Sequence, residues 1–426
     1  MSNLIFITSR FPFEPGEPFI DAEFQFLHPN FKRVIIITRN VTATKLRKIQ
    51  DDVKVYRYNP TSTSFGYLTL PLLIVRYFAK ITRIYKDEIS FRKEISRPIS
   101  FKKKLILLKK IIKGLQLKVF IESIIKKEKI AGKITFYSYW MNNGAHAICM
   151  LDNLDKIKIS RAHRIDLYEE ETETNYLPLL KYIYNNLDGI FFISAHGKEY
   201  FENRLRVINP KNQISRAGVL NPFKNDIQKT DPGFFRIVSC SSLIKVKRVD
   251  LIISALENLK TDRKVIWNHF GEGVLQAELH DLAKRKLGHL KNINFQFMGQ
   301  IQNSELLKFY ASNRIDLFIN TSASEGIPAS IMEAQSFGIP VIATYVGGVK
   351  EVVTEGTGIL LPVDFMPEDL TKMIQLYANM PEDEINNIRM KAFKNWDLNF
   401  NAAVNYPDFV AKVNSIFASV QNGNKS

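Results

Sequence analysis

Residues 323–353 read ASEGIPASIMEAQSFGIPVIATYVGGVKEVV and place one glutamate, Glu325, eight positions before another, Glu333. The pattern predicts a helix from Ala329 to about Phe337. Pro328 fits its first position, where a missing N–H costs nothing. Gly338 supplies a left-handed stop and Pro340 blocks continuation. Glu325 then stands on the loop leading in, and Glu333 lies inside the helix. Between them the unbonded N–H groups near Ala329, Ser330 and Ile331 point outward at the positive end of the helix dipole. Such a start suits an anion, a diphosphate above all. The carboxylates repel phosphate but accept hydroxyl donors on either side of it. Hydroxyls flanking a diphosphate describe a nucleotide sugar.

Outward from this stretch, short apolar β-branched runs alternate with helical patterns, which predicts α/β units with parallel strands. The first half offers NLIFIT, RVIIIT, VKVYRY, KITFYSY, KIKISRAH and GIFFIS. The second offers FRIVSCSSL, KVIWNHFG, INFQFMG, DLFINTS, PVIATY and GILLPV. Residues 220–235, LNPFKNDIQKTDPGFF, break the rhythm with Pro222, Pro232 and Gly233 and read as a linker. We therefore expect one domain over 1–219, a second over 220–395, and C-terminal helices over 396–426 packing back on the first. Two such sheets facing each other place a ligand cleft between the domains, at the carboxyl ends of the strands.

The formal net charge of +16 is unevenly spread: residues 71–134 hold 18 Lys and Arg against 5 Asp and Glu. The run FKKKLILLKKIIKGLQLKVFIESIIKK alternates lysines with Leu and Ile at helical spacing, so a basic amphipathic insertion is expected over about 71–130. An acidic partner follows: an anionic membrane, a nucleic acid or a phosphorylated substrate. Two widely separated cysteines, Cys149 and Cys240, exclude a disulfide or zinc framework. The apolar core of MSNLIFITSRFPF is too short for a signal peptide, and YLTLPLLIVRYFAKI is broken by Pro71 and Arg76. A cytoplasmic protein is the expectation.

The Glu-x7-Glu pattern with the following AQSFGIPVIATYVGGVKEVV resembles the C-terminal signature of glycosyltransferase family 4, a retaining family of GT-B fold. VSCSSLIKVKRVDLIISAL, HFGEGVLQAEL, FMGQIQNSELLKFYASNRIDLFINTS and GTGILLPVDFMPEDL resemble its neighbouring segments in order. SRFPFEPGEPFIDAEFQFL, FYSYWMNNGAHAI and RAHRIDLYEE resemble N-domain segments of bacterial members that build surface polysaccharides. The resemblance is strongest in residues 236–362. It implies that Glu333 holds the donor ribose and that Glu325 faces the donor sugar. It implies that Gly326, Ile327 and Pro328 form the turn that brings backbone amides to sugar and phosphate, with Ser330 and Ile331 behind it. Lys247 corresponds to the lysine that neutralises the leaving diphosphate, Gly271 to a donor contact, and Gly16 to the glycine loop after the first strand. His163 corresponds to a histidine beside the donor sugar, and Asp166 to the acid that follows it. The usual glycine pair is reduced here to Pro15-Gly16. An arginine usual five positions before the lysine is Ser242 here, which leaves Lys245 or Arg248 as the second positive charge.

The activity implied is retaining transfer of a hexosyl-type group from a nucleotide sugar to a saccharide or lipid-linked acceptor, in capsule, exopolysaccharide or O-antigen assembly. No metal is implied, since Lys247 and the helix amides face the growing charge. The acceptor proton passes either to a leaving-phosphate oxygen or to Asp166 or His163. The basic helices fit an anionic inner leaflet better than nucleic acid, for which no motif is present. The competing classes are a nucleotide-sugar epimerase on the same fold, which lacks the EGIP turn with its second glutamate, and a basic nucleic-acid- or membrane-binding protein.

Overall fold

The structure, a computed structural model, describes residues 1–14, 17, 19–39, 45–59, 70–152, 156–223 and 233–423 of the chain. Most of the linker read from sequence, residues 224–232, lies outside the described residues. Two compact units result: Met1–Ser215 with Tyr406–Ser426, and Arg216–Asn405.

The first unit is built on β1 (Asn3–Thr8), β2 (Arg33–Arg39), β3 (Lys54–Tyr58), β4 (Ile134–Ser138), β5 (Lys156–Ala162), β6 (Gly189–Phe192) and β7 (Asn212–Ile214). They pair in the order β3-β2-β1-β4-β5-β6-β7, parallel throughout. The runs are apolar on both sides because helices cover both faces, as parallel sheets require. β1 shows this: Leu4, Ile5, Phe6 and Ile7 are all buried. The order reverses between β1 and β4, and loops at the carboxyl ends there form the ligand-binding edge of a doubly wound sheet.

The basic segment folds as three helices, Leu70–Arg76, Phe78–Glu94 and Phe101–Lys127. The last buries one face as expected, but its outer face carries apolar residues as well as lysines. Leu107, Ile111 and Leu115 enter the core, while Phe101 and Leu105 stay exposed on another face. Close packing also uses Gly114, where a Cβ would come 2.3 Å from His146 Nδ1.

The second unit repeats the scheme with β8 (Phe234–Cys240), β9 (Lys264–Phe270), β10 (Ile293–Phe297), β11 (Leu317–Asn320), β12 (Val341–Thr344) and β13 (Gly358–Leu361). Their order is β10-β9-β8-β11-β12-β13, again parallel, with the reversal between β8 and β11.

The boundary expected at 395/396 falls inside the helix Glu382–Asn399. Residues 396–405 remain with the second unit because Trp396 and Phe400 are buried in its core with Ile331 and Met332. Val219 and Asn401 bridge there, so the expected 219/220 boundary is likewise interior to this unit. Later in the helix Ala402–Gly423, Phe409, Val410, Val413 and Ile416 pack on the first sheet with Tyr137 and Phe191.

Candidate functional site

In the second unit, the loops after β8 and β11 flank the point where strand order reverses. They are fastened to each other through backbone and hydroxyl. Ala323 N donates to Val246 O at 2.8 Å, and Thr321 Oγ1 lies 2.9 Å from the carbonyl oxygens of both Lys247 and Arg248. This fastening brings together two residues singled out by sequence. Lys247 Nζ stands 2.6 Å from Glu325 Oε1, with both side chains largely buried. Asn320 at the end of β11 donates to the same Glu325 oxygen at 3.3 Å, a partner the sequence reading missed.

Arg248 takes a left-handed conformation, φ 49°. Its guanidinium is engaged with Thr321 O at 2.8 Å, Val363 O at 2.5 Å and Thr344 Oγ1 at 3.3 Å. That places Arg248 as a brace between strand ends. Lys245 is exposed on the preceding turn.

The helix after β11 runs Ala329–Gln335, with Pro328 as its N-cap and not its first residue. Ile331 N already donates to Pro328 O at 3.2 Å, and the Ile331 side chain is fully buried. Ile331 therefore does not present an N–H outward, whereas Ala329 and Ser330 precede the first helical bond. Gly338 does adopt the left-handed stop, φ 65°.

Glu333 is buried on the inner side of this helix and accepts from Asn303 Nδ2 at 2.7 Å. Burial pushes its carboxyl up to about 7, with the Asn303 bond opposing. Burial, and then this carboxylate, push the Cys240 thiol up to about 12. Asn303 was not legible as a site residue, since it opens an ordinary amphipathic helix.

The EGIP turn is gripped by a glycine pair that sequence reasoning quoted without assigning a role. Gly348 N donates to Gly326 O at 2.8 Å, and a Cβ at Gly347 would lie 1.9 Å from Glu325 O. Ile327 packs against the adjoining core. Gly271 needs no ligand to explain it. Its φ is 131°, and a Cβ would meet Ser241 O at 2.0 Å, so two loops touch backbone to backbone.

In the first unit, His163 and Asp166 follow β5. Asp166 is buried and accepts from His163 N at 3.2 Å, with the His163 Nδ1 3.7 Å away. The imidazole packs between Trp140 and Tyr139, with ring centroids at 4.5 and 4.7 Å. Among the described residues neither of its ring nitrogens has a hydrogen-bond partner.

Gly16 lies outside the described residues, but its neighbour Glu17 is placed. The Glu17 carboxylate accepts from Arg10 N and Phe11 N at 2.6 Å each, from Ser9 N at 3.2 Å, and from Trp140 Nε1. The N–H groups of the loop after β1 are thus turned toward the chain's own anion. Among the described residues no group of three or more His, Cys, Asp and Glu side chains could hold a metal ion.

Residues 222–394 match the family glycosyl transferases group 1. An uncharacterised glycosyltransferase of Methanocaldococcus jannaschii is 27% identical over 202 residues, 47% of this chain and 52% of that protein. An O-antigen biosynthesis glycosyltransferase of Escherichia coli, WbnH, is 35% identical over 111 residues, 26% of this chain and 30% of that protein. The chain thus spans about half or less of the length of these curated relatives. Among solved structures, Anabaena HepE in complex with UDP and glucose superposes with a TM-score of 0.63 at 15% identity, covering 97% of this chain and 100% of that one. The likeness establishes the α/β GT-B fold.

Proposed function

We propose that the chain is a retaining glycosyltransferase. It moves a sugar from a nucleotide-diphosphate donor to a saccharide or lipid-linked saccharide in surface-polysaccharide assembly. The observation that carries this reading is the Lys247–Glu325 contact of 2.6 Å on the loop that leads into the helix of buried Glu333. An ammonium has three donors. One is directed at Glu325, which holds the amine in place while the others meet oxygens of the departing diphosphate.

Charge grows on that diphosphate as the sugar carbon becomes cationic, and a fixed cation in a partly dry site is worth most at that moment. In this reading Lys247, not a metal ion, answers the charge. The second Glu325 oxygen takes a sugar hydroxyl. Glu333, with one oxygen on Asn303, takes the ribose hydroxyls through the other. The acceptor proton passes to an oxygen of the leaving phosphate on the same face, with His163 and Asp166 as the side-chain rivals.

Surface-polysaccharide assembly is favoured by the similarity to an O-antigen enzyme. No helix among the described residues is long and apolar enough to cross a membrane. Peripheral contact with an anionic leaflet fits Leu72, Val75 and Phe78, which are exposed on basic helices.

The test is turnover. The purified chain is incubated with UDP-, GDP- and ADP-sugars and lipid-linked acceptor, with nucleoside diphosphate release measured and the product anomer read by NMR. Release with one donor and retained configuration supports the reading. Inversion, or no release from any donor with acceptor present, overturns it.

A further inference from the structure

β2 ends on Arg39 and β3 on Tyr58, and the two residues are register partners at the carboxyl edge of the first sheet. Ser9 follows β1 on that edge, and His163 and Asp166 follow β5. Ligands of doubly wound sheets bind outside such an edge. Lys110 joins the group from the helix Phe101–Lys127.

The donors gathered here lack acceptors. Arg39 Nη2 donates to Ser9 Oγ at 3.1 Å, but its Nε is buried without a partner. The Tyr58 hydroxyl is buried and unpartnered too, as are both ring nitrogens of His163. Among the described residues neither Arg39 nor Lys110 has a carboxylate within ion-pair distance. Burial, then the charges of Arg39 and Lys113, hold the Lys110 amine below its ordinary value, with Asp166 opposing. Burial also lowers the Arg39 guanidinium, against the pull of Glu17, Asp166 and Tyr58. Like charges held together beside orphaned donors cost stability, so the fold alone does not explain them.

The nearby acids are taken up elsewhere. Glu17 accepts from the N–H groups of residues 9–11 and from Trp140, and Asp166 accepts from His163 N. Arg39, Lys110 and exposed Lys113 stand against these two acids. The surplus is one positive charge, which a monoanion balances and a dianion overshoots. Aromatic rings flank His163: Trp140 lies 4.5 Å from it, and Phe19, 43% exposed, lies 6.1 Å from Trp140. Such rings pack against the C–H faces of a sugar.

We propose that Arg39, Lys110 and Tyr58 bind the carboxylate of an acidic sugar in the acceptor saccharide. The Arg39 Nε–H and the Tyr58 O–H each supply one donor and the Lys110 ammonium supplies more, which matches the several lone pairs of a carboxylate. That this saccharide is the acceptor rests on the transfer proposed above; the carboxylate site itself does not.

Calorimetric titration of the full chain tests it, with methyl glucuronide and methyl galacturonide set against methyl glucoside, methyl galactoside and inorganic phosphate. At least one uronoside is expected to bind about tenfold or more tightly than its neutral counterpart. Tyr58→Phe and Lys110→Met should each weaken that uronoside by about tenfold and leave the neutral sugar unchanged. Lys109→Met, at the exposed neighbouring position, should change neither. Lys110→Met should melt no lower than wild type, since it removes a desolvated charge without a partner. Tyr58→Phe, which deletes only an unpartnered hydroxyl, decides the matter if Lys110→Met unfolds. Equal binding of uronoside and neutral sugar, or no uronoside binding, overturns the proposal. Phosphate bound more tightly than every uronoside, and lost in the same variants, overturns the carboxylate. No nucleotide sugar enters these titrations, so a bound uronoside beside a failed donor titration would sink the transferase reading alone.

Discussion

Lys247 and Glu325, 78 positions apart in sequence, meet at 2.6 Å where the loops after β8 and β11 are fastened together. The pair fixes the amine before any donor arrives. Preorganisation of this kind avoids reorganisation during bond breaking, when electrostatic stabilisation matters most. Lys247→Ala is therefore expected to lower kcat by about 10²–10³ and, since it leaves the largely buried Glu325 carboxylate without its cation, to lower the melting temperature as well. Steady-state turnover alongside thermal melts checks both halves. A variant that loses KM but keeps kcat would move Lys247 out of this role.

Glu333 carries a pH dependence with a definite sign. Its carboxyl is raised from 4.5 to about 7 by burial. The folded chain thus keeps a proton that the unfolded chain releases between those values. Stability falls as pH rises through this window, and the penalty is complete above about 7. By linkage it amounts to about 3 kcal/mol. Glu333→Gln is expected to be more stable than wild type at pH 8 and nearly equal at pH 4, as measured by urea unfolding. Donor affinity runs the other way, rising from pH 6 to pH 8, since the ionised carboxylate is the better acceptor of ribose hydroxyls.

Gly347 has φ 51° and leaves no room for a Cβ beside Glu325 O. Gly347→Ala is expected to cost at least ~1 kcal/mol from the left-handed backbone alone. It also displaces the EGIP turn, so turnover falls more than stability does. A structure of the variant with Glu325 unmoved and activity intact would contradict this.

Glu17 terminates the N–H groups of residues 9–11 and the Trp140 indole. Glu17→Ala orphans these donors and is expected to destabilise the first unit by roughly 2–4 kcal/mol. Loss of the Trp140 partner should shift tryptophan emission to the red. Glu17→Gln, which keeps an acceptor oxygen, should lose less on both measures.

Much of this was legible in sequence because sheets buried on both faces write themselves as short apolar runs. Five of the six strands of the second unit lie within the runs read there, and β8 starts one residue earlier, at Phe234. β7 escaped because Asn212–Ile214 is three residues long and mostly polar. Glu325, Glu333 and Lys247 could be singled out by residue type and resemblance, but their meeting could not, because it depends on which loops lie beside the strand-order reversal. Asn320 and Asn303 act by touching those carboxylates and leave no local pattern. Ile331 differs from the expectation because its N–H closes a tight i→i−3 bond onto Pro328 O, which no residue pattern signals. Glu17 stood in a proline- and glycine-rich loop, where nothing signals that a carboxylate folds back onto residues 9–11. The exposed apolar stripe of the helix Phe101–Lys127 was hidden because a lysine-rich run reads as amphipathic until its buried face is known.

The central claim is that Glu333 and the Lys247–Glu325 pair hold a nucleotide sugar. It is tested most directly by calorimetric titration of wild type and Glu333→Gln with UDP-, GDP- and ADP-sugars at pH 8. The account predicts that one nucleotide binds wild type and that the variant loses at least about tenfold in affinity, the effect of about 1.4 kcal/mol. Equal binding by the two proteins, or no binding of any nucleotide sugar by wild type, would contradict it.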